Sequence, residues 1–211
     1  ECVQTFNFHL MFTTLLNFCS TDLSAFYFDI RKDSIYCDSL KSKKRRAART
    51  LLDIIFNHLV RWLAPSLSFT CEEAWKARGN QTSIHLEDFI LINDKYVDED
   101  LKKKWEIIKN IRRVITGALE KKRADKIIGS SLEAKINVYL SDNLIKIIGD
   151  VNLDEISITS SFEILNLNKN QSGFTVDDIT DVSVEIEKTE GNKCQRCWKY
   201  KTKLINNEIC D

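Results

Sequence analysis

The 211-residue chain contains one proline, six glycines and three histidines, and its formal net charge is zero. No apolar run approaches the roughly 20 residues that a membrane-spanning helix needs, so the sequence predicts no membrane span. The three histidines are far apart, and the sequence shows no Ser-His-Asp order, no paired carboxylates on one helix face and no phosphate-binding glycine loop. The sequence therefore shows no recognisable active site.

The apolar and charged fractions, 43% and 29%, are typical of a folded globular protein with one large or two small domains. The first residues, ECVQTFNFHLMF, resemble the inside of a helix. They lack an initiator methionine, a basic n-region and a signal-cleavage site. We therefore expect Glu1 to be an internal boundary of a longer protein.

Seven cysteines are present, and Cys2, Cys19, Cys37 and Cys71 are scattered singly through helical-looking sequence. Scattered single cysteines are typical of small buried side chains in a reducing compartment. This pattern predicts a cytoplasmic protein without a disulfide framework.

The hydrophobic period predicts a mainly α protein with three parts. Residues 1–128 follow a helical period and predict a bundle of four to five helices. One predicted helix runs from about Ser42 to Leu63, a capping box at Thr70 predicts the next, and Asp98 can cap a long one.

The period changes at Gly129, and residues 129–190 predict a small α+β domain. Its predicted strands are AKINVYL, EISITSS and DVSVEIE, with DNLIKIIGD as a helix. Residues 191–211 form a cysteine-bearing tail.

The zero net charge conceals a strong asymmetry along the chain. Residues 101–126 carry ten lysines and arginines against three acids, whereas residues 150–190 carry ten acids against two lysines. A polyanion would be attracted to one part and repelled by the other. The balanced total therefore does not argue against a nucleic-acid partner.

The strongest local feature is the segment KSKKRRAAR at residues 41–49, with six basic side chains in nine positions. Lys41, Arg45 and Arg49 are spaced by four residues, so on a helix they would share one face and could contact successive phosphates. The alternative is a solvated face without a partner. The predicted RNA-binding residues in this segment are Lys41, Lys44, Arg45, Arg46 and Arg49.

The tail contains the sequence CQRCWKY at residues 194–200, and Cys210 follows thirteen residues after Cys197. A C-x-x-C turn presents two thiolates to one tetrahedral metal, and zinc takes four ligands of this kind. The sequence therefore predicts part of a zinc knuckle at Cys194, Cys197 and Cys210. Because only Asp211 follows, a carboxylate or water would have to complete the site, and we expect zinc to bind weakly or not at all.

A redox-active cysteine pair is the alternative for this tail, but it would require a helix that opens at the first cysteine. Basic residues alternate with aromatic rings around the cysteines, and this mixture suits stacking on unpaired bases. Arg196 and Trp198 are the RNA-binding residues that we predict here.

Four stretches together resemble the isoleucyl-tRNA synthetases. Residues 22–38 resemble the family's S-x-Y-x-D-x-x-K-D-R-L-Y segment, and residues 45–75 its R-R-A-A…R-W-L-A-P…F-T-x-E-E-x-W stretch. Residues 123–136 resemble R-x-x-K-x-I-G-x-S-L-E-A, and residues 193–200 contain the C-x-R-C-W of the terminal zinc site. The resemblance extends over essentially the whole chain and corresponds to the C-terminal part of the family.

The resemblance implies a parent enzyme that activates isoleucine with ATP, loads it onto tRNA and hydrolyses mischarged valine in an editing domain. ATP and magnesium would act only in the catalytic domain, whose His-Ile-Gly-His and Lys-Met-Ser-Lys-Ser signatures do not occur in this chain. We therefore expect this chain to be inactive alone. We expect it to bind the anticodon stem-loop of isoleucine tRNA, as a monomer, beside the catalytic and editing domains of the same polypeptide.

Two departures from the family pattern are present. Ser34 replaces the usual arginine, and no second C-x-x-C pair follows Cys210. Three alternatives remain at this point: a valyl-type synthetase fragment, which should lack C-x-R-C-W, a non-catalytic adaptor helix bundle, and a thiol oxidoreductase.

Overall fold

The computed structural model describes residues 1–167, 172–206 and 208–210. The chain divides into two compact units. Unit 1 consists of Glu1–Ile30 and Asp98–Asp211, and unit 2 of Arg31–Val97. Unit 1 is therefore made of two separate stretches of chain, and the whole of unit 2 lies between them in the sequence.

The described secondary structure is mainly helical, with a small mixed sheet near the C-terminal end. The helices are α1 (Phe8–Asn17), α2 (Asp29–Tyr36), α3 (Lys43–Leu63), α4 (Ser68–Ala77), α5 (Glu99–Ala124), α6 (Asp142–Ile148) and α7 (Leu153–Ser157). The strands are β1 (Ala134–Leu140), β2 (Ser161–Asn166), β3 (Phe174–Val176), β4 (Ile179–Lys188), β5 (Asn192–Lys193) and β6 (Tyr200–Lys201). Among the described residues, no helix combines the length and apolar character needed to cross a bilayer.

A π-helix at Phe18–Phe28 joins α1 to α2, so the first helical run is continuous. Phe18–Phe28 contains neither glycine nor proline, and nothing in it interrupts a helix. Within it, the Ser20 hydroxyl donates to the Leu16 carbonyl at 2.8 Å. Bonds of this type compete with the backbone ladder and favour bends or widening.

Helix α3 confirms its predicted bounds, because Ser42 is the N-cap residue and the helix ends at Leu63. The predicted start of the following helix at Thr70 was wrong. Helix α4 already begins at Ser68, since the Cys71 amide donates to the Leu67 carbonyl at 2.9 Å and closes the first turn earlier.

Unit 2 has its own small core between α3, α4 and the segment after α4. The buried members are Val60, Ala64, Cys71, Trp75 and Ile84. The Trp75 indole donates to the Thr82 carbonyl at 3.2 Å, which satisfies its buried N–H. The Glu72 carboxylate accepts from the Ile84 amide at 2.8 Å and from the Ser83 hydroxyl at 2.9 Å. This carboxylate therefore holds the returning segment against α4.

In unit 1, α5 begins where the sequence predicted, because the Asp98 carboxylate accepts from the Leu101 amide at 2.8 Å. Its apolar side packs on a four-stranded sheet of order β2-β1-β4-β3. Strand β1 runs parallel to β2 and antiparallel to β4. The buried residues of α5 are Ile108, Ile111, Val114, Ile115, Ala118 and Leu119.

The predicted strand EISITSS was wrong. Its first three residues complete α7, Ile158 adopts a left-handed conformation with φ 55°, and β2 begins only at Ser161. The Thr159 amide donates to the Asp154 carbonyl at 2.9 Å, so short-range hydrogen bonds close a helical turn despite the β-branched composition.

The mainly α class with a small α+β part is confirmed. The structure also differs from a simple bundle at residues 1–128, because α5 packs on the sheet and belongs with it in unit 1. The division into domains at residues 128 and 190 stays a prediction.

Candidate functional site

The first candidate site lies at the start of α3 in unit 2. The Ser42 hydroxyl accepts from the Arg45 amide at 3.3 Å and donates to the Asp38 carboxylate at 2.9 Å. The Arg45 guanidinium donates to the Asp38 carbonyl at 2.6 Å. These bonds fix the beginning of the helix and turn the Arg45 side chain back towards the preceding loop.

The predicted row of Lys41, Arg45 and Arg49 is therefore not a single exposed helix face. Lys41 lies in the turn before the N-cap, and Arg45 is half-buried. Lys44, Arg46 and Arg49 are exposed on the first turns of α3. Spacing alone placed the basic residues near one another, but it could not show that the Arg45 side chain turns back to the preceding loop.

Arg46 and Arg49 line a groove of about 660 Å³, together with residues from the middle of α3 and one residue at the end of α4. The other lining residues are Thr50, Leu52, Asp53, Phe56 and Arg78. The Arg78 guanidinium lies 5.4 Å from the centre of the Phe56 ring and forms an ion pair with Asp53. Arg78 could not be found from its position in the sequence, because nothing near it indicates that its side chain contacts α3.

The second candidate site is the cysteine cluster of the tail, in unit 1. Cys194 and Cys197 flank the turn between β5 and β6, and Cys210 approaches both. The Sγ–Sγ distances are 3.6 Å from Cys194 to Cys210 and 3.5 Å from Cys197 to Cys210. A zinc ion about 2.3 Å from each sulfur would place tetrahedral ligands about 3.8 Å apart. The three thiols therefore fit three positions of a zinc site.

The backbone around Cys194 favours its thiolate. The Arg196 amide points at its Sγ at 3.4 Å, and the Cys210 amide does so at 3.3 Å. Burial raises the pKa of the Cys194 thiol, but these and other hydrogen bonds outweigh burial and lower it to about 6. Burial raises the pKa of Cys197 to about 12. A thiolate at Cys194 is suited to receiving a cation.

No fourth His, Cys, Asp or Glu side chain joins this cluster within residues 1–167, 172–206 and 208–210. The two cysteines of the C-x-x-C pair also lie in a turn between short strands, and no helix opens at Cys194. The helix that a thioredoxin-like redox pair requires is therefore not found there.

Trp198 follows the cysteine turn in a left-handed conformation, with φ 64°, and its side chain is 59% exposed. Its amide donates to the Cys194 carbonyl at 2.9 Å, which holds this conformation. The Lys193 ammonium lies 4.9 Å from the centre of the indole ring. Arg196 is also exposed, and its guanidinium donates to the Cys210 carbonyl at 2.8 Å. Both residues therefore accompany the cysteine cluster at the surface.

The β5–β6 hairpin is anchored on the α+β part of unit 1. The Tyr200 amide donates to the buried Ser160 hydroxyl at 2.6 Å. The Lys199 ammonium lies 2.9 Å from the Asp154 carboxylate. The orientation of the cysteine turn thus depends on residues that precede it by some forty positions, which sequence reasoning did not identify.

A family model described as the anticodon-binding domain of tRNA ligase matches residues 1–138, which include the basic segment and all of unit 2. The chain belongs to this anticodon-binding family. The matched residues also include α5 and most of β1.

This anticodon-binding chain is 44% identical to the isoleucine–tRNA ligase of Pelagibacter ubique over 209 residues, which are 99% of the chain and 21% of that relative. It is 44% identical to the isoleucine–tRNA ligase of Bradyrhizobium diazoefficiens over 92% of the chain and 20% of that relative. It is 45% identical to that of Rhodopseudomonas palustris over the same two shares. The resemblance to isoleucyl-tRNA synthetases is confirmed, and the valyl-type and adaptor alternatives are not favoured.

The anticodon-binding chain spans about a fifth of the length of the curated relatives it matches. The similarity includes the cysteine tail, since 209 of its 211 residues are aligned with one of them.

Proposed function

We propose that this chain binds the anticodon stem-loop of isoleucine tRNA and serves as the tRNA-binding part of an isoleucine–tRNA ligase. One observation carries the proposal: Lys44, Arg46 and Arg49 are exposed together at the start of α3, inside the residues that match the anticodon-binding family. Side chains of this kind bind phosphates and set the register of an RNA, whereas contacts to base edges provide specificity.

The tail would contribute a second contact. Cys194, Cys197 and Cys210 would hold a zinc ion, which would supply structural cross-linking of the tail. Arg196 and the exposed indole of Trp198 would then be presented to unpaired bases, with Lys193 adding positive charge beside the ring. In this arrangement the metal is structural and takes no part in any reaction.

The activities of the whole enzyme would belong to the rest of the polypeptide. Activation of isoleucine with ATP and magnesium would take place in the catalytic domain, and hydrolysis of mischarged valine in the editing domain. This chain alone would be a monomer without ligase activity. Its seven free cysteines and an RNA partner suit the reducing cytoplasm.

The test is a salt titration of binding to a labelled anticodon stem-loop of isoleucine tRNA. We expect affinity to fall steeply with salt, with a log–log slope of roughly 0.7 to 0.9 per phosphate neutralised. Changing Lys44, Arg46 and Arg49 together to Ala should reduce the slope by about two to three. The control is Lys188→Ala, an exposed lysine in the acidic part of the chain. An unchanged slope, with the circular dichroism spectrum intact, would mean that these residues are only a solvated face.

A further inference from the structure

The groove beside α3 brings together three arginines from two helices. Arg46 and Arg49 come from the first turns of α3, and Arg78 is the C-cap residue of α4. Phe56 and Leu52 provide its apolar part, and Thr50 a hydroxyl. A volume of about 660 Å³ is within the range of sites that hold a small ligand or one part of a larger one.

The charges in this groove are not balanced. Asp53 is its only carboxylate among the lining residues, and it pairs with Arg78. Among the side chains that the structure describes, neither Arg46 nor Arg49 has an ion-pair partner. Two guanidinium groups therefore face the groove without compensation, and an anion entering it would gain favourable interactions with both.

The chemistry of the lining favours a phosphodiester. Guanidinium groups are planar, permanently charged and able to donate two parallel hydrogen bonds to phosphate oxygens. The Phe56 ring, 5.4 Å from the Arg78 guanidinium, supports this side chain from one side. Unlike a lysine on an open surface, Arg78 is thus held in place before any ligand arrives.

We infer that this groove binds one phosphodiester group of the RNA backbone, with Arg78 as a third phosphate-binding side chain and Asp53 as an internal competitor for it. The inference rests on the proposed RNA-binding function and assigns residues of α4 as well as α3 to the interface. Without RNA, the Arg78 guanidinium is paired with the Asp53 carboxylate. When a phosphate enters, Arg78 exchanges its carboxylate partner for the phosphate. Breaking the Asp53–Arg78 pair costs free energy, and this cost reduces the net free energy of RNA binding.

The decisive variant is Asp53→Asn, because the inference predicts a gain of affinity from the loss of an acidic residue. Removing the charge leaves Arg78 on Phe56 and frees its guanidinium. We expect the anticodon stem-loop to bind about two- to fivefold more tightly at low salt, with a salt slope steeper by up to about one. Arg78→Ala should weaken binding and reduce the slope by about one. In the Arg78→Ala background, Asp53→Asn should have a smaller effect than it has in the wild type.

Folding does not complicate this test. Both side chains are about half exposed, 56% for Arg78 and 52% for Asp53, and exposed ion pairs contribute little to stability. Melting temperatures of the two variants should therefore remain close to that of the wild type. Lys188→Ala is again the matched control, and it should change neither the affinity nor the salt slope beyond the effect of a distant charge.

Two results would overturn the inference. If Asp53→Asn and Arg78→Ala left RNA affinity unchanged while the Lys44, Arg46 and Arg49 triple variant weakened it, the proposed function would stand and the groove would not be a phosphate site. If ATP or inorganic phosphate bound at this groove as tightly as the stem-loop did, the ligand would be a free phosphate compound. If none of these variants weakened RNA binding, the proposed function itself would be contradicted.

Discussion

The Lys199 ammonium and the Asp154 carboxylate are 2.9 Å apart, and their side chains are only 15% and 12% exposed. This pair joins the cysteine hairpin to α7. A charge held out of water requires a partner, so each residue fixes the position of the other. The pair therefore does more to position the tail than an exposed ion pair would.

Asp154→Ala should release the hairpin from α7. The change leaves the Lys199 ammonium without its partner in a mostly buried site, and breaking one side of a buried pair costs about 3 to 5 kcal/mol. We expect faster amide exchange at Cys194–Tyr200, measured by hydrogen–deuterium exchange, while α5 and β1 keep their protection.

The matched control replaces both partners, with Asp154→Leu and Lys199→Met in one protein. Since no unpaired charge is then left, exchange in the hairpin should return towards the wild-type rate. Wild-type protection in the Asp154→Ala single variant would show that the pair does not anchor the tail.

Gly191→Ala should disrupt the same hairpin through the backbone. Gly191 has φ +107°, and a Cβ there would lie 2.4 Å from the Lys201 carbonyl oxygen. Neither the Gly191 backbone nor the Lys201 carbonyl can move away without opening the β5–β6 pairing. We expect thiol labelling of Cys197 and Cys210 to accelerate while the main thermal transition stays in place. Gly129→Ala is the control, because its Cβ would meet only a side-chain oxygen at 3.4 Å. Equal labelling rates in both variants would contradict the prediction.

Glu72 should make unit 2 sensitive to acid. The backbone hydrogen bond from Ile84 lowers the pKa of Glu72 below its usual value of 4.5, with Ser83 assisting against the cost of desolvation. A lowered pKa stabilises the fold above the unfolded-state value, and this contribution disappears as pH falls through the folded-state pKa. In urea unfolding, wild type should exceed Glu72→Gln in stability at pH 7, and the difference should shrink below about pH 4.5. A difference that stays constant down to pH 3 would assign the effect to shape rather than to charge.

The cysteine cluster should bind zinc through three thiolates. With three protein ligands and an exchangeable fourth, we expect a stoichiometric but weak complex that a chelator removes readily. Cobalt substitution should give the absorption of thiolate-bound tetrahedral metal, and Cys197→Ser should diminish it. Because Cys197 must lose a proton from a pKa raised to about 12, apparent affinity should rise with pH through the neutral range. A zinc ion that resisted prolonged chelation would contradict this expectation.

Periodicity and capping predicted much of the helical part. The bounds of α3 and the start of α5 follow from local signals, since Ser42 and Asp98 cap their own helices through contacts three residues away. Local signals were insufficient at α4. The Cys71 amide donates to the Leu67 carbonyl, so Thr70 lies inside the helix instead of capping it. Competing cap residues a few positions apart cannot be distinguished without the tertiary packing.

The candidate site was predicted in composition rather than in geometry. The C-x-x-C spacing brought Cys194 and Cys197 together, and Cys210 joined them as expected. The anchoring contacts of Ser160 and Asp154 could not be predicted, because single polar residues in a β-rich segment carry no signal of their distant partners. Arg78 was missed because a single arginine at the end of a helix carries no signal of its distant partner either.

The interrupted order of unit 1 has a consequence for the chain during synthesis. The ribosome releases the first helical stretch early, yet its partners Trp105 and Lys109, which contact Phe26 and Asp22, follow the whole of unit 2. Unit 2 is continuous and can complete its core while this stretch waits with apolar side chains uncovered. A nascent chain whose α5 has not yet emerged from the ribosome would therefore expose these side chains to chaperones and proteases, and faster translation of α5 would shorten that exposure.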